Sequence, residues 1–294
     1  MWTEGIIAVD WGTTNRRAWR LDASGSVEDE FEDGCGITGV AQGGFPTAVA
    51  QVRERLGDLP LLMAGMIGSN RGWVEAPYVP CPAGPETLAA SLCRIEEERA
   101  AIVPGLSYRG EGRGDVMRGE EVQLFGAVAA GLTPPDALVC HPGTHNKWAR
   151  VEGGRVSSFR TVMTGELFSL LKDRSILSDW LGGQVEPGNA FRTGVRRGLA
   201  GDAVTAELFG VRASVLLGDL PKEYAASFTS GLLIGADVRT GLREAEDGTI
   251  HVMGRPDLTV LYAAALQEAG RESQQIDGEQ AFLAGVADIA RRLT

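Results

Sequence analysis

Two short runs carry the residue types that phosphate chemistry requires. Gly12-Thr13-Thr14-Asn15 follows an apolar stretch that ends in Asp10, and Gly143-Thr144-His145-Asn146 follows another. Glycine lets a backbone come close to a phosphate, and the amides and hydroxyls of such a turn then donate to its oxygens. One Gly-Thr turn alone reads as a tight hairpin. Here the pattern returns: with Gly12 set on Gly143, WGTTNRRA meets PGTHNKWA, placing Thr13 on Thr144, Asn15 on Asn146, Arg16 on Lys147 and Ala18 on Ala149. Each copy lies between two apolar runs, so the sequence predicts a structural duplication whose two turns clamp one polyphosphate.

The copies differ where a metal would bind. Asp10 corresponds to His141, so only the first turn brings a carboxylate, placed to hold a magnesium ion through water. His141 and His145 flank Pro142-Gly143-Thr144 without the Cys or carboxylate cluster that a zinc site needs. Lys147 reads equally as a point charge near a phosphate and as a solvated strand lysine.

These turns need strands to carry them. Residues 5–10 form a continuous apolar run, as in a strand buried on both faces, and residues 16–21 alternate, which makes a hairpin. A third strand is predicted over 26–31, a helix over 48–56 and a buried strand over 59–64. The last breaks at Gly65-Met66-Ile67-Gly68-Ser69. Four prolines over residues 72–85 predict irregular chain. Val122, Phe125, Val128 and Ala129 recur at helical spacing within 118–130, and Thr133-Pro134-Pro135 then marks the boundary between domains 1–132 and 133–294.

Beyond it come a strand over 137–140, the second turn and a strand over 147–151. Helices are predicted over 164–171, 200–209, 221–238, 257–268 and 278–291, with a strand over 249–253. Ser227, Gly231 and Gly235 give the third of these helices one smooth face, open to a flat adenine or to another helix. Gly254-Arg255, where a strand enters a helix, is a second adenosine-side candidate, or a plain cap.

The 294 residues are 44% hydrophobic and 23% charged, which excludes a disordered or fibrous chain. A net charge of −11 argues against nucleic acid as the main partner. Cys35, Cys81, Cys93 and Cys140 form no CxxC pair, no leader opens the chain, and no apolar run approaches the roughly 20 residues of a membrane span. A cytoplasmic protein with reduced cysteines is expected, and homo-oligomerisation stays open.

Several blocks together resemble the sugar-kinase, actin and heat-shock-chaperone ATPase superfamily, and more narrowly the 2-dehydro-3-deoxygalactonokinase family. They are residues 9–15, Gly65 to Ser69 with Gly72 to Tyr78, Met117 to Glu121, Pro142 to His145, Met163 to Phe168 and Ser230 to Ala236. The resemblance implies an α/β fold of two duplicated ribonuclease-H-like domains, an actin-like ATPase fold, with a central nucleotide cleft. It implies ATP and Mg2+ as cofactors and transfer of the γ-phosphoryl group to the 6-hydroxyl of 2-dehydro-3-deoxy-D-galactonate. The first domain would hold the sugar acid and first phosphate loop (Asp10, Gly12, Thr13, Thr14, Asn15). The second would hold the other loop (Gly143, Thr144, His145, Lys147) and the adenosine side (Gly231, Gly235, Gly254, Arg255).

Superfamily kinases usually present a Gly-Asp base, whereas this chain reads Arg118-Gly119-Glu120-Glu121. The role would fall to Glu120, to Glu121 or to Asp115, although two glutamates in a first helical turn also complement the macrodipole without chemistry. Arg118 is the preferred partner of the substrate carboxylate, with Arg16 and Arg71 competing. Gly65, Met66, Ile67, Gly68 and Ser69 lie just past a strand end, where ligand crevices form. Trp73, Glu75 and Tyr78 would wall the sugar, the two aromatics reading equally as core or cap. The competing readings are a kinase of another sugar or sugar acid, such as 2-dehydro-3-deoxygluconate, and a non-catalytic ATP-binding sensor.

Overall fold

The computed structural model describes residues 5–110, 112–201 and 203–293. The chain forms two compact units, the first comprising Met1–Asp136, Val151–Ser158 and Gly278–Thr294, the second Ala137–Arg150 and Phe159–Asp277. The first crossing thus falls just past Pro134-Pro135, but the C-terminal residues return to the first unit instead of closing the second.

The first unit begins with β1 (Ile6–Trp11), β2 (Arg16–Leu21) and β3 (Val27–Asp33), followed by α1 (Phe45–Leu56) and β4 (Leu61–Gly65). After β4 the chain carries β5 (Tyr78–Pro80), α2 (Pro85–Ala90), β6 (Cys93–Ile95), β7 (Ala100–Ile102), β8 (Gly105–Gly110), β9 (Arg113–Met117) and α3 (Glu120–Ala129). The main sheet has the order β3-β2-β1-β4-β7-β6, and β5-β8-β9 form a smaller one. β1 pairs antiparallel with β2 and parallel with β4, Trp11 standing beside Gly65. Ile7, Val9 and Trp11 on β1, Leu61 and Met63 on β4, and Val49 and Val52 on α1 share one core. Residues 72–85, expected to be irregular, include the short β5. Strands β6 to β9 escape sequence reading because runs of three to six residues show no clear period.

The second unit repeats the plan with β10 (Ala137–His141), β11 (Asn146–Glu152), β12 (Arg155–Val162), α4 (Thr164–Arg174), α5 (Asn189–Ala200), α6 (Val204–Leu217), α7 (Ala225–Gly241), β13 (Ile250–Gly254), α8 (Pro256–Glu268) and β14 (Ser273–Asp277). Its sheet order is β12-β11-β10-β13-β14, with β10, β13 and β14 mutually parallel. Four residues join β10 to β11, too few for a parallel crossover, so that pair is a hairpin. Three antiparallel strands followed by two parallel ones also describe β3-β2-β1-β4-β7. The expected helix over 200–209 is instead the junction of two helices, α5 being closed by Gly201.

The chain ends in α9 (Gly278–Arg291), which packs on α3 in the first unit. The two helices touch backbone to backbone, a methyl on Gly285 falling 2.0 Å from the Val122 carbonyl oxygen. That contact explains why the C-terminus leaves the second unit. No helix among the described residues is long and apolar enough to cross a membrane.

Candidate active site

Asp10 stands near the end of β1, where its Oδ2 accepts the Arg17 Nη2 proton at 2.8 Å. Arg17 also reaches Glu279 Oε2 at 3.5 Å. The turn that follows closes through Gly12 N donating to Asn15 O at 2.9 Å. Residues 36–38 hold it from behind: Ile37 N donates to Gly12 O and Gly36 N to Thr14 O, both at 3.0 Å, while Thr38 donates to Thr13 O through both N and Oγ1. The carbonyls are thereby turned inward. Among the described residues the exposed Thr13 and Thr14 have no backbone partner for their amides.

Beside this turn, three chain segments of the first unit converge. Gly65 has φ +96° and Gly119 φ +103°, a region that only glycine enters without strain. A methyl on Gly65 would stand 2.8 Å from the Trp11 carbonyl oxygen and 3.4 Å from Asp10 Oδ1. One on Gly119 would stand 3.1 Å from Gly65 Cα. The ends of β1 and β4 therefore meet the start of α3, bringing Glu120 to the Asp10 side of the sheet.

The carboxylates of α3 differ sharply. Glu120, partly exposed, accepts the Arg118 backbone proton at 3.0 Å. Glu121 is fully buried and takes the Gly119 N–H on both oxygens, at 2.9 and 2.7 Å. Burial, reinforced by the Glu120 charge, pushes its carboxyl up to about 8. Glu121 thus binds the start of its own helix from a buried position, and of the two glutamates Glu120 is the more open. Asp115 lies on β9 with its Oδ2 3.6 Å from Arg113 Nη1.

Arg118 donates through Nη2 to Ala76 O at 2.7 Å and lies 4.4 Å from the centre of the Tyr78 ring. Its Nε and Nη1 are buried with no partner among the described residues, and a methyl on Gly68 would come within 2.8 Å of Nη1. The loop below is knit tightly, Trp73 N donating to Ile67 O and Ala76 N to Gly68 O, both at 2.9 Å. Ile67 and Gly68 are buried and Ser69 nearly so, its hydroxyl donating to Met66 O at 2.7 Å. Ile67 therefore belongs to the core and offers only its backbone to a ligand. Trp73 stacks on Phe45 with centroids 6.3 Å apart, and Glu75 is exposed.

In the second unit the turn is anchored differently. A methyl on Gly165 would lie 2.5 Å from Gly143 O, so the first turn of α4 rests directly on the second turn. Glu166 N donates to Thr144 O at 2.9 Å, and the Glu166 carboxylate meets His145 Nε2. Gly254, at the end of β13, lies with φ +151° against Pro142 O, where a methyl would stand 3.2 Å away. Pro142 aligns with Trp11, so Gly254 repeats the place of Gly65. Behind the turn the buried Asp237 carboxylate accepts protons from Asn146 Nδ2, Trp148 Nε1, Thr164 Oγ1 and Tyr262 Oη. Burial raises its pKa while these four donors oppose the shift.

Further expectations change in this unit. Lys147 is buried and donates through Nζ to His145 O at 3.3 Å, so it braces the turn from within and is no solvated strand lysine. Gly231 and Gly235 face α5, methyls there falling 2.1 Å from Phe191 O and 2.3 Å from Val195 O. A helix occupies the face that was open to adenine, and the adenine reading of both residues is withdrawn. Arg255 is exposed at the start of α8, paired with Asp257 at 3.1 Å. Arg16 is 2% exposed and binds Asp33 at 2.7 Å, which removes it from the competition for the substrate carboxylate. Arg71 is exposed. The Asp237 cluster and residues 36–38 were not read from the sequence; the Asn15–Asn146 match was the nearest signal, although Asn15 is exposed and Asn146 buried.

Two units sharing one strand order, each with a Gly-Thr turn at the end of its first strand, have the plan of the actin-like ATPase fold. A family model described as 2-keto-3-deoxy-galactonokinase matches residues 10–289, and the chain belongs to that family. It is 40% identical over 293 residues to the 2-dehydro-3-deoxygalactonokinase of Escherichia coli K12, covering 98% of each chain. A solved structure of a provisionally assigned 2-dehydro-3-deoxygalactonokinase from Sinorhizobium meliloti superposes with a TM-score of 0.91 at 36% identity, over 97% of this chain and 98% of that one. The activator of 2-hydroxyisocaproyl-CoA dehydratase from Clostridium difficile, solved with bound ADPNP, has a TM-score of 0.52 at 11% identity over 98% and 95% of the chains, a likeness of fold alone. Membership of a sugar-kinase family implies use of ATP.

Proposed function

We propose that this kinase transfers the γ-phosphoryl group of ATP to the 6-hydroxyl of 2-dehydro-3-deoxy-D-galactonate. The observation that carries the reading is the repeated turn: Gly12–Asn15 and Gly143–Asn146 each follow a central strand, each with a glycine of the neighbouring parallel strand, Gly65 or Gly254, packed on the carbonyl just before the turn. In this reading each turn is a phosphate-binding turn for ATP, and Gly254 and Arg255 serve the adenosine side.

Phosphoryl transfer needs positioning, charge neutralisation and an oriented hydroxyl. The 6-hydroxyl oxygen forms a bond to the γ-phosphorus as the bond to the bridging oxygen breaks, and ADP leaves. Glu120 orients the hydroxyl and takes its proton. Arg118 supports carboxylate recognition, since two of its nitrogens have no partner among the described residues, beside the Gly65–Ser69 loop. Asp10 is the carboxylate at the first turn that would hold Mg2+, through water, since that ion keeps much of its hydration shell and binds mainly to phosphates; Arg17, at 2.8 Å from Oδ2, occupies one of its two oxygens. Bound there, it would neutralise developing phosphate charge.

The reading is tested by coupled measurement of ADP release over a panel containing the galactonate-derived acid, its gluconate epimer and a neutral hexose, alongside Thr13→Ala. Release driven by the galactonate-derived acid and lost in a folded Thr13→Ala variant is the expected result. Saturable ATP binding without sugar-dependent ADP release would turn the assignment to a nucleotide sensor.

A further inference from the structure

The buried cluster around Asp237 has no part in the chemistry described above, yet two of its partners, Asn146 and Thr164, flank the second turn. Asp237 sits on α7 and is 1% exposed. Burying a carboxylate costs several kcal/mol unless hydrogen bonds replace its water, and here four donors from three other elements do so. Asn146 Nδ2 reaches both oxygens at 3.0 and 3.1 Å, and Trp148 Nε1 donates at 2.7 Å, both from β11. Thr164 Oγ1 donates from the first residue of α4, and Tyr262 Oη from α8.

The arrangement around the turn has two walls. One is Asn146, the residue that immediately follows His145, whose Oδ1 also accepts from Cys140 Sγ of β10 at 3.5 Å. The other is the start of α4, where Gly165 packs on Gly143 and Glu166 N holds Thr144 O. Asn146 and Thr164 are both tied to Asp237. A shift of either wall would move the amides of Gly143 and Thr144.

We propose that Asp237 is a positioning residue for the second phosphate turn, fixing β11 against the start of α4 so that the Gly143–Thr144 backbone is preset for a phosphate. The proposal rests on the reading that this turn binds ATP. A merely structural role predicts a lower melting temperature and less active protein with KM values unchanged. The positioning role predicts a selective effect on nucleotide.

The test compares Thr164→Val, Asp237→Asn and Thr144→Ala in steady-state kinetics, with folding followed by circular dichroism. Thr164→Val keeps the side-chain shape and removes one bond to Asp237, so it yields a folded enzyme even where Asp237→Asn does not. The expected result is a rise of about 3- to 10-fold in KM for ATP in Thr164→Val, the scale of one hydrogen bond, with KM for the sugar acid unchanged. Thr144→Ala should raise KM for ATP as well. If it does while Thr164→Val leaves that KM at the wild-type value, the positioning role is overturned and the phosphate role of the turn stands. If Thr144→Ala and Thr164→Val both leave KM for ATP at the wild-type value, neither the hydroxyl nor the backbone of the turn serves ATP, and the reading of the turn falls and the proposal with it.

Discussion

Gly119 approaches Gly65 so closely that one methyl group on Gly119 would sit 3.1 Å from the Gly65 Cα. Through this contact the helix that carries Glu120 is brought to the strand end beside Asp10. Both residues hold left-handed backbone, which costs any other residue about 1–3 kcal/mol. Gly119→Ala is therefore expected to destabilise the first unit by about that amount. It should also lower kcat, because Glu120 moves with the helix start. Gly65→Ala is expected to cost more activity, since its methyl meets the Trp11 carbonyl and crowds Asp10. Denaturant melts and kcat for the two variants check both statements; wild-type kcat in each would separate this junction from catalysis.

Arg118 holds one carbonyl and one aromatic face while two nitrogens keep no partner among the described residues. Lysine supplies the charge but not the planar fork. Arg118→Lys is expected to raise KM for the sugar acid by about tenfold or more, equivalent to ~1.4 kcal/mol, and to leave KM for ATP alone. Equal rises in both constants would assign the residue to the fold.

Glu121 gives a pH dependence whose sign is determined by its burial. Its carboxyl titrates at about 8 in the folded chain against an ordinary 4.5, so between these values the folded state keeps a proton that the unfolded state has released. Its contribution to stability is full below about pH 4.5 and is lost as pH rises toward about 8. Urea unfolding of wild type and Glu121→Gln across that window should find the variant gaining on wild type as pH rises, by up to about 1.4 kcal/mol per pH unit. A difference independent of pH would contradict a protonated Glu121.

The packing of α7 on α5 makes a contrasting case. A methyl on Gly235 would lie 2.3 Å from the Val195 carbonyl oxygen, so Gly235→Ala forces two backbones apart. The expected outcome is a loss of about 1–3 kcal/mol or more, as for other overpacked cores, seen as a lower melting temperature. KM for ATP should remain that of wild type in the folded fraction. A variant of normal stability that binds ATP poorly would return this helix face to the nucleotide.

What the sequence determined by itself was whatever depends on neighbours along the chain. The hairpins around Gly12 and Gly143, the strand before Gly65, the helix that starts at Glu120 and the duplication were all legible, because apolar period and turn chemistry are local. The short strands β6 to β9 carried too few residues to show a period. Tertiary structure decided the rest. It turned Gly231 and Gly235 from a possible ligand face into a helix contact, and buried Glu121 while leaving Glu120 partly open. It also gathered Asn146, Trp148, Thr164 and Tyr262 around Asp237 across 25 to 91 residues of chain. The energy of a polar side chain depends on which groups replace its water when it is buried, and those partners are chosen by packing between distant segments, which no local pattern records.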